Sequence, residues 1–272
     1  MDQESAQVMT VYTKGYKRSI DFEDAAYVIL VIEKFKSQKA INTLMLLTGD
    51  TEHTVKIEAI EALKRLKWKY PHLKIKDRFI VDKILDECQL YQNTLAVIHT
   101  QIVLQYKMKS VTMESKDENE ARNGLIHLLE QRLDRQLQRI FRFLGIKYPP
   151  NDVDPILNTI MHGKEEQRIH AIEFLDNILN SQLKKELIPV AESVLLDSNQ
   201  EDQLPQLNLK VFSEIECYNE LLKRKDVKLK FAGLYLIEKS NNTKFKPLLE
   251  LVLINETNKK LEQNRKSLGL TS

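Results

Sequence analysis

A chain of 272 residues, 42% of them hydrophobic, can bury a substantial core, either as one elongated domain or as two ordinary ones. Its 41 basic and 39 acidic residues leave a formal charge of +2, so affinity for nucleic acid or membrane has to come from local patches. Two distant cysteines, Cys88 and Cys217, argue against a zinc site or disulfide framework, and 7 glycines with 7 prolines argue against a Gly-rich phosphate loop and for long helices.

The first segment, MDQESAQVMTVYTKGYKRS, lacks the apolar core of a signal peptide. The strongest apolar run, AAYVILVI from Ala25 to Ile32, is well short of the roughly 20 residues that span a bilayer, so a soluble polypeptide is expected. In TEHTVKIEAIEALKRLKWKY the residues Val55, Ala59, Ala62, Leu63 and Leu66 fall on one helical face. The end of that helix runs into a basic stretch, Lys64 to Arg78, with seven cations, one acid, and Trp68 and Tyr70 interleaved. Such a mixture can hold phosphate backbones or lie on an anionic membrane. It is equally what a helix C-terminus shows, because its dipole favours cations there. IKDRFIVDKILDECQLYQNTLAVIHTQIVLQYKMKS and DENEARNGLIHLLEQRLDRQLQRIFRFLG predict two unusually long helices, with the polar MESKDENE between them as a mobile loop.

Within the second long helix, Arg132, Arg135, Arg139 and Arg142 share an arc of roughly 80° at about 100° per residue. Leu133, Leu137, Ile140, Phe141 and Leu144 centre on the other side, so the stripe is expected opposite the core, as a solvated or neighbour-covering face. Glu130 and Asp134 are placed to pair with it. Phe143, on the polar side, predicts that something packs there. In EQRIHAIEFLDNILN the inward residues are predicted as Ile169, Ile172, Leu175 and Ile178 or Leu179. After a linker at DSNQEDQLP (197–205), KDVKLKFAGLYLIEKS predicts Val227, Phe231, Leu234 and Tyr235 inward. Glu256 to Ser272 reads as a fading polar helix.

One unit recurs along this chain: an apolar-periodic helix (KAINTLMLL, DPILNTIM, CYNELL), a polar turn (TGDTEH, HGKEEQ, KRKD), then a helix with a small alanine near its middle (Ala59, Ala171, Ala232). Helix pairs of this kind need stacked neighbours to bury their faces. The pattern resembles HEAT repeats and implies an all-α fold, an α-α superhelix of the HEAT/ARM-like solenoid type. Five or six helical pairs are expected over residues 1–272, with possible sub-units at 20–112 and 117–256.

LDRQLQRIFRFLGIKYPPNDVDPILNTIMHGKEEQRIHAIEFLDNILNSQLKKELIPV (133–190) and LLKRKDVKLKFAGLYLIEK followed by KPLLELVL resemble the soluble HEAT segment of bacterial membrane proteins related to the ATP:ADP antiporter (nucleotide transporter) family. The resemblance covers roughly residues 118 to 255. It implies a cytoplasmic location, tethered to the inner membrane through segments outside this chain, and supplies no catalytic residues.

HExxH, Walker A, GxGxxG and GxSxG motifs do not occur, nor does any His-Glu dipeptide of the kind through which HEAT-type hydroxylases bind iron. The expectation is therefore a non-enzymatic scaffold without cofactor that binds protein partners, with nucleic acid or anionic lipid as the alternative and no small-molecule substrate evident. The candidate partner-binding residues are Lys56, Lys64, Arg65, Lys67, Trp68, Lys69, Arg132, Arg135, Arg139, Arg142, His170, Glu173, Lys228 and Lys230.

Overall fold

The computed structural model describes residues 22–50, 52–111, 115–195, 212–224, 226–240, 243–245, 247–248 and 250. Among these residues the chain forms ten α-helices and no strand, so it is all-α. They are α1 (Phe22–Lys34), α2 (Gln38–Leu47), α3 (His53–Lys69), α4 (Asp77–Val111), α5 (Lys116–Lys147), α6 (Pro150–His162), α7 (Glu165–Ile178), α8 (Ser181–Ser193), α9 (Glu214–Lys223) and α10 (Val227–Lys239). The two long helices run to 35 and 32 residues. Lys116 to Glu120 of the expected mobile loop are the first helical residues of α5, where Asp117 and Glu118 complement the dipole. The linker at 197–205 and the segment 256–272 lie outside the described residues.

Local chemistry sets the helix starts. The Ser37 side chain accepts from Ala40 N at α2, and Asn180 accepts from Leu183 N at α8. At α9, Ser213 and Glu216 exchange bonds in a capping box, and at α10 the Asp226 carboxylate accepts from both Lys228 N and Leu229 N. Pro150 opens α6, where its missing N–H costs no hydrogen bond, and Gly163 closes it.

The chain forms two compact units, Met1–Tyr91 with Asp134–Gln200, and Gln92–Leu133 with Glu201–Ser272. The division falls inside both long helices. In the first unit α1 and α2 pack on α3, α6 packs on α7, and α7 packs on α8. Val55, Ala59, Ala62, Leu63 and Leu66 are all buried, as the periodicity of α3 predicts. Each fully buried aliphatic side chain contributes about 1.5–3 kcal/mol. On α7 the inward face is Ile172, Leu175 and Leu179, whereas Ile169 is 41% exposed and corrects the predicted set. It lies roughly 90° from the centre of that face, on the flank of the helix.

In the second unit α9 packs on α10, around a core that includes Val97, Leu125, Leu129, Tyr218, Leu221, Leu229, Leu236 and Ile237. Here the predicted face of α10 is overturned. Val227, Phe231 and Tyr235 are 61%, 66% and 51% exposed and Leu234 is half-buried, while Leu229, Gly233, Leu236 and Ile237 face inward. The helix is apolar on two sides, so its period alone does not select the buried one. Contact with α9 does: a Cβ at Gly233 would already meet Leu221 Cδ1 at 3.5 Å. Of the three small alanines only Ala59 is fully buried, while Ala171 and Ala232 are half-buried. Arg122 is fully buried in this unit, donating from Nη1 to Gln101 Oε1 at 2.5 Å and from Nη2 to Glu118 Oε1 at 2.9 Å.

Both cysteines are buried free thiols, and burial pushes Cys88 up to about 12 and Cys217 up to about 11. No helix among the described residues is long and apolar enough to cross a membrane.

Candidate interaction cleft at the end of α3

Most of the arginine stripe of α5 is covered by neighbours rather than solvated. Arg139 is buried, its Nε and Nη2 donating to the two carboxylate oxygens of Glu87 on α4 at 3.0 and 2.8 Å. Arg142 reaches Glu61 on α3 at 3.5 Å. In the other unit, Arg132 Nε donates to Asp226 Oδ2 at 2.5 Å. Burial alone would raise the Asp226 carboxyl, but the Arg132 bond and the N–H groups of Leu229 and Lys228 outweigh it and hold it below its ordinary value. Only Arg135 is exposed. The partners come from other helices rather than from Glu130 and Asp134, because a helix covered by neighbours meets their carboxylates before its own. Phe143, as expected, is packed, at 1% exposure.

His53, half-buried at the first turn of α3, feels this stripe. It is pushed down to about 4, first by burial and then by the charges of Arg139, Arg135, Lys56 and Arg142. The unfolded chain takes up that proton near pH 6.5, so stability is complete above 6.5 and is lost as the pH falls towards 4. His53→Gln is expected to flatten this acid limb. Urea midpoints between pH 7 and 4.5 check it, and an unchanged limb would assign the effect to another group.

The remaining candidates divide sharply. Lys64 is held by Glu61 at 3.1 Å and Asp154 at 3.6 Å, and Arg65 forks onto Glu33 at 3.0 and 2.8 Å. Lys56 is half-buried on α3. His170 and Glu173 bond each other at 3.2 Å on the exposed side of α7. Lys228 is exposed and Lys230 half-buried on α10, in the other unit. These residues are thus spread over separate helices.

Lys67, Trp68 and Lys69 do come together with residues from the loop that follows. Lys67 and Trp68, at the end of α3, line an open cleft of about 500 Å³ with Pro71, Leu73, Lys74, Ile75 and Lys76. The cleft is anchored by contacts distant in sequence. Trp68 Nε1 donates to the Gly145 carbonyl at 2.8 Å, and a Cβ at Gly145 would press on Lys64 Cδ at 3.0 Å. Gln38 clamps the loop like one rung of a sheet: Lys74 N donates to Gln38 Oε1 at 2.9 Å, and Gln38 Nε2 donates to the Lys74 carbonyl at 2.8 Å. Leu73 N donates to the Tyr70 carbonyl at 2.9 Å with its side chain buried, and Lys147 pairs with Asp77 at the loop's end.

Within this frame the cations face outward. Lys67 Nζ stands 5.6 Å from the Trp68 ring centre, and Lys36 and Lys69 stand 5.5 and 5.9 Å from that of Tyr70. His72 meets Tyr70 edge-on at 6.1 Å. Lys36 holds a left-handed backbone at φ 44, a conformation that costs a lysine something of order 1 kcal/mol. Burial in the cleft wall draws the Lys67 ammonium below its ordinary value, Lys147 adding to this and Asp77 opposing it. No carboxylate among the described residues pairs with Lys67, Lys69, Lys74 or Lys76.

The basic stretch was visible in the sequence, but Lys36, Gln38 and Gly145 carry no signal of their own. No group of three or more His, Cys, Asp or Glu side chains placed to hold a metal ion occurs among the described residues. Comparison with family models, with curated proteins and with solved structures gives no match for this chain.

Proposed function

We propose that the chain is a non-enzymatic helical-repeat interaction domain that binds a protein partner through the cleft at the end of α3. The observation that carries this reading is an exposed, lysine-rich loop held by tertiary hydrogen bonds, whose Lys69, Lys74 and Lys76 form no ion pair among the described residues. An ordinary solvated loop has no need of the Gln38–Lys74 clamp. A pre-ordered surface, in contrast, spares a partner the entropy of ordering it on binding. The successive packed pairs α2 with α3, α6 with α7 and α9 with α10 favour a HEAT/ARM-like solenoid, with polar helix flanks as the recognition surface. The family resemblance supports a role as a cytoplasmic regulatory portion beside a transporter-like membrane protein.

A photo-crosslinking side chain at position 76 in the native host tests the reading. Discrete protein adducts are expected there, absent when the probe sits at exposed Lys185 on α8. Loss of all adducts would defeat it. The interleaving of Lys67, Trp68, Lys69 and Tyr70 keeps a second reading, binding of nucleic acid or an anionic membrane surface. Nuclease-sensitive adducts, or adducts to lipid, with a steep salt dependence would select it.

A further inference from the structure

Resting on the protein-binding reading, we infer that the cleft takes an extended acidic segment of the partner, with one apolar side chain seated on Trp68, Leu73 and Ile75 and flanking carboxylates on Lys67, Lys74 and Lys76. Charge complementarity is the first argument. Ammonium groups that form no ion pair among the described residues surround an apolar wall, and an apolar anchor between acidic neighbours matches both parts. The opening suits this occupant too, since the site is an open cleft and a chain can run through it rather than being enclosed.

The aromatic geometry disfavours the other anionic polymers. A base stacking on either ring would have to share it with lysines already standing there, Lys67 over Trp68 and both Lys36 and Lys69 over Tyr70. Insertion into a bilayer needs apolar side chains that project. Here Leu73 is 7% exposed, and Trp68, although 43% exposed, is fixed against the protein by its Nε1 bond to the Gly145 carbonyl. What remains is a concave apolar seat with a cationic rim. Lysines there give orientation and rapid association, and the seated side chain gives residence time.

Trp68 is the sole tryptophan of the chain, so its emission reports occupancy without a label. The full chain is titrated with a short peptide rich in aspartate and glutamate bearing one central leucine, with the same peptide carrying serine there, with oligothymidylate, and with phosphatidylserine vesicles. The leucine peptide is expected to saturate the Trp68 signal and the serine peptide to bind roughly tenfold more weakly. Lys74→Glu with Lys76→Glu, both on exposed side chains, should weaken the leucine peptide by more than tenfold at low salt, and Lys67→Gln should weaken it less. Equal affinity for the leucine and serine peptides overturns the seated anchor, as does tighter binding of oligothymidylate or vesicles. If the peptides fail while position 76 still crosslinks to protein, the acidic segment alone is wrong. If both fail, the protein-binding reading falls with it.

Discussion

Glu87→Ala, with Arg139 left in place, is expected to destabilise the first unit by about 3–5 kcal/mol. The pair joins α4 to α5 with both carboxylate oxygens bonded, at 3.0 and 2.8 Å, and the side chains are only 10% and 9% exposed. Deleting the acid strands a guanidinium where little water reaches it. Glu87→Leu combined with Arg139→Met removes both charges and should return most of the loss, because replacing a buried pair by apolar residues of similar volume is often neutral. Arg65 and Glu33 supply the control. Their fork has nearly the same geometry, but their side chains are 44% and 21% exposed, so Glu33→Ala should cost only about 0.2–1 kcal/mol. Burial, then, and not bond length, separates the two. Urea unfolding followed by Trp68, which lies in the same unit as both pairs, measures all three variants. Similar losses for Glu87→Ala and Glu33→Ala would show that the Arg139 site is wet.

The second large effect belongs to α10. Leu236→Ala is expected to cost about 2–5 kcal/mol, because the side chain is fully buried in the core of the second unit and its removal leaves a cavity. Phe231→Ala, one turn and a half away on the same helix, should change stability by no more than about 0.5 kcal/mol, since Phe231 is 66% exposed. Helical periodicity read alone predicts the opposite order, so the comparison decides between the two faces. Hydrogen exchange of the α10 amides in urea gives the local free energy, and a larger loss for Phe231→Ala would mean the helix is turned round.

Where sequence reading succeeded, the reason was local. Val55, Ala59, Ala62, Leu63 and Leu66 form a single unambiguous stripe, and all are buried. At α10 the rule failed because Leu229, Leu236 and Ile237 make a second stripe as apolar as the first, and only the seat left by Leu221 and Tyr218 distinguishes them. For the arginine stripe the sequence left two forms open, a solvated face and a neighbour-covering one. A helical wheel separates charge from apolar surface, yet it says nothing of a carboxylate arriving from another helix. The candidate site was half legible: the basic, aromatic stretch is continuous in the chain, but its ordering is not.

What the sequence by itself determined is the helical class, the two long helices, the recurring helix–turn–helix pairs and the burial of α3, because backbone hydrogen bonds and side-chain period act over three or four residues. Which cations are neutralised and which stay open was decided only in three dimensions. Arg139 meets Glu87 across 52 residues, Trp68 meets Gly145 across 77, and Gln38 meets Lys74 across 36. A charge or an indole N–H bonds whatever the packed helices bring within reach, and that neighbour is set by the whole arrangement of the core rather than by the residues beside it in the chain.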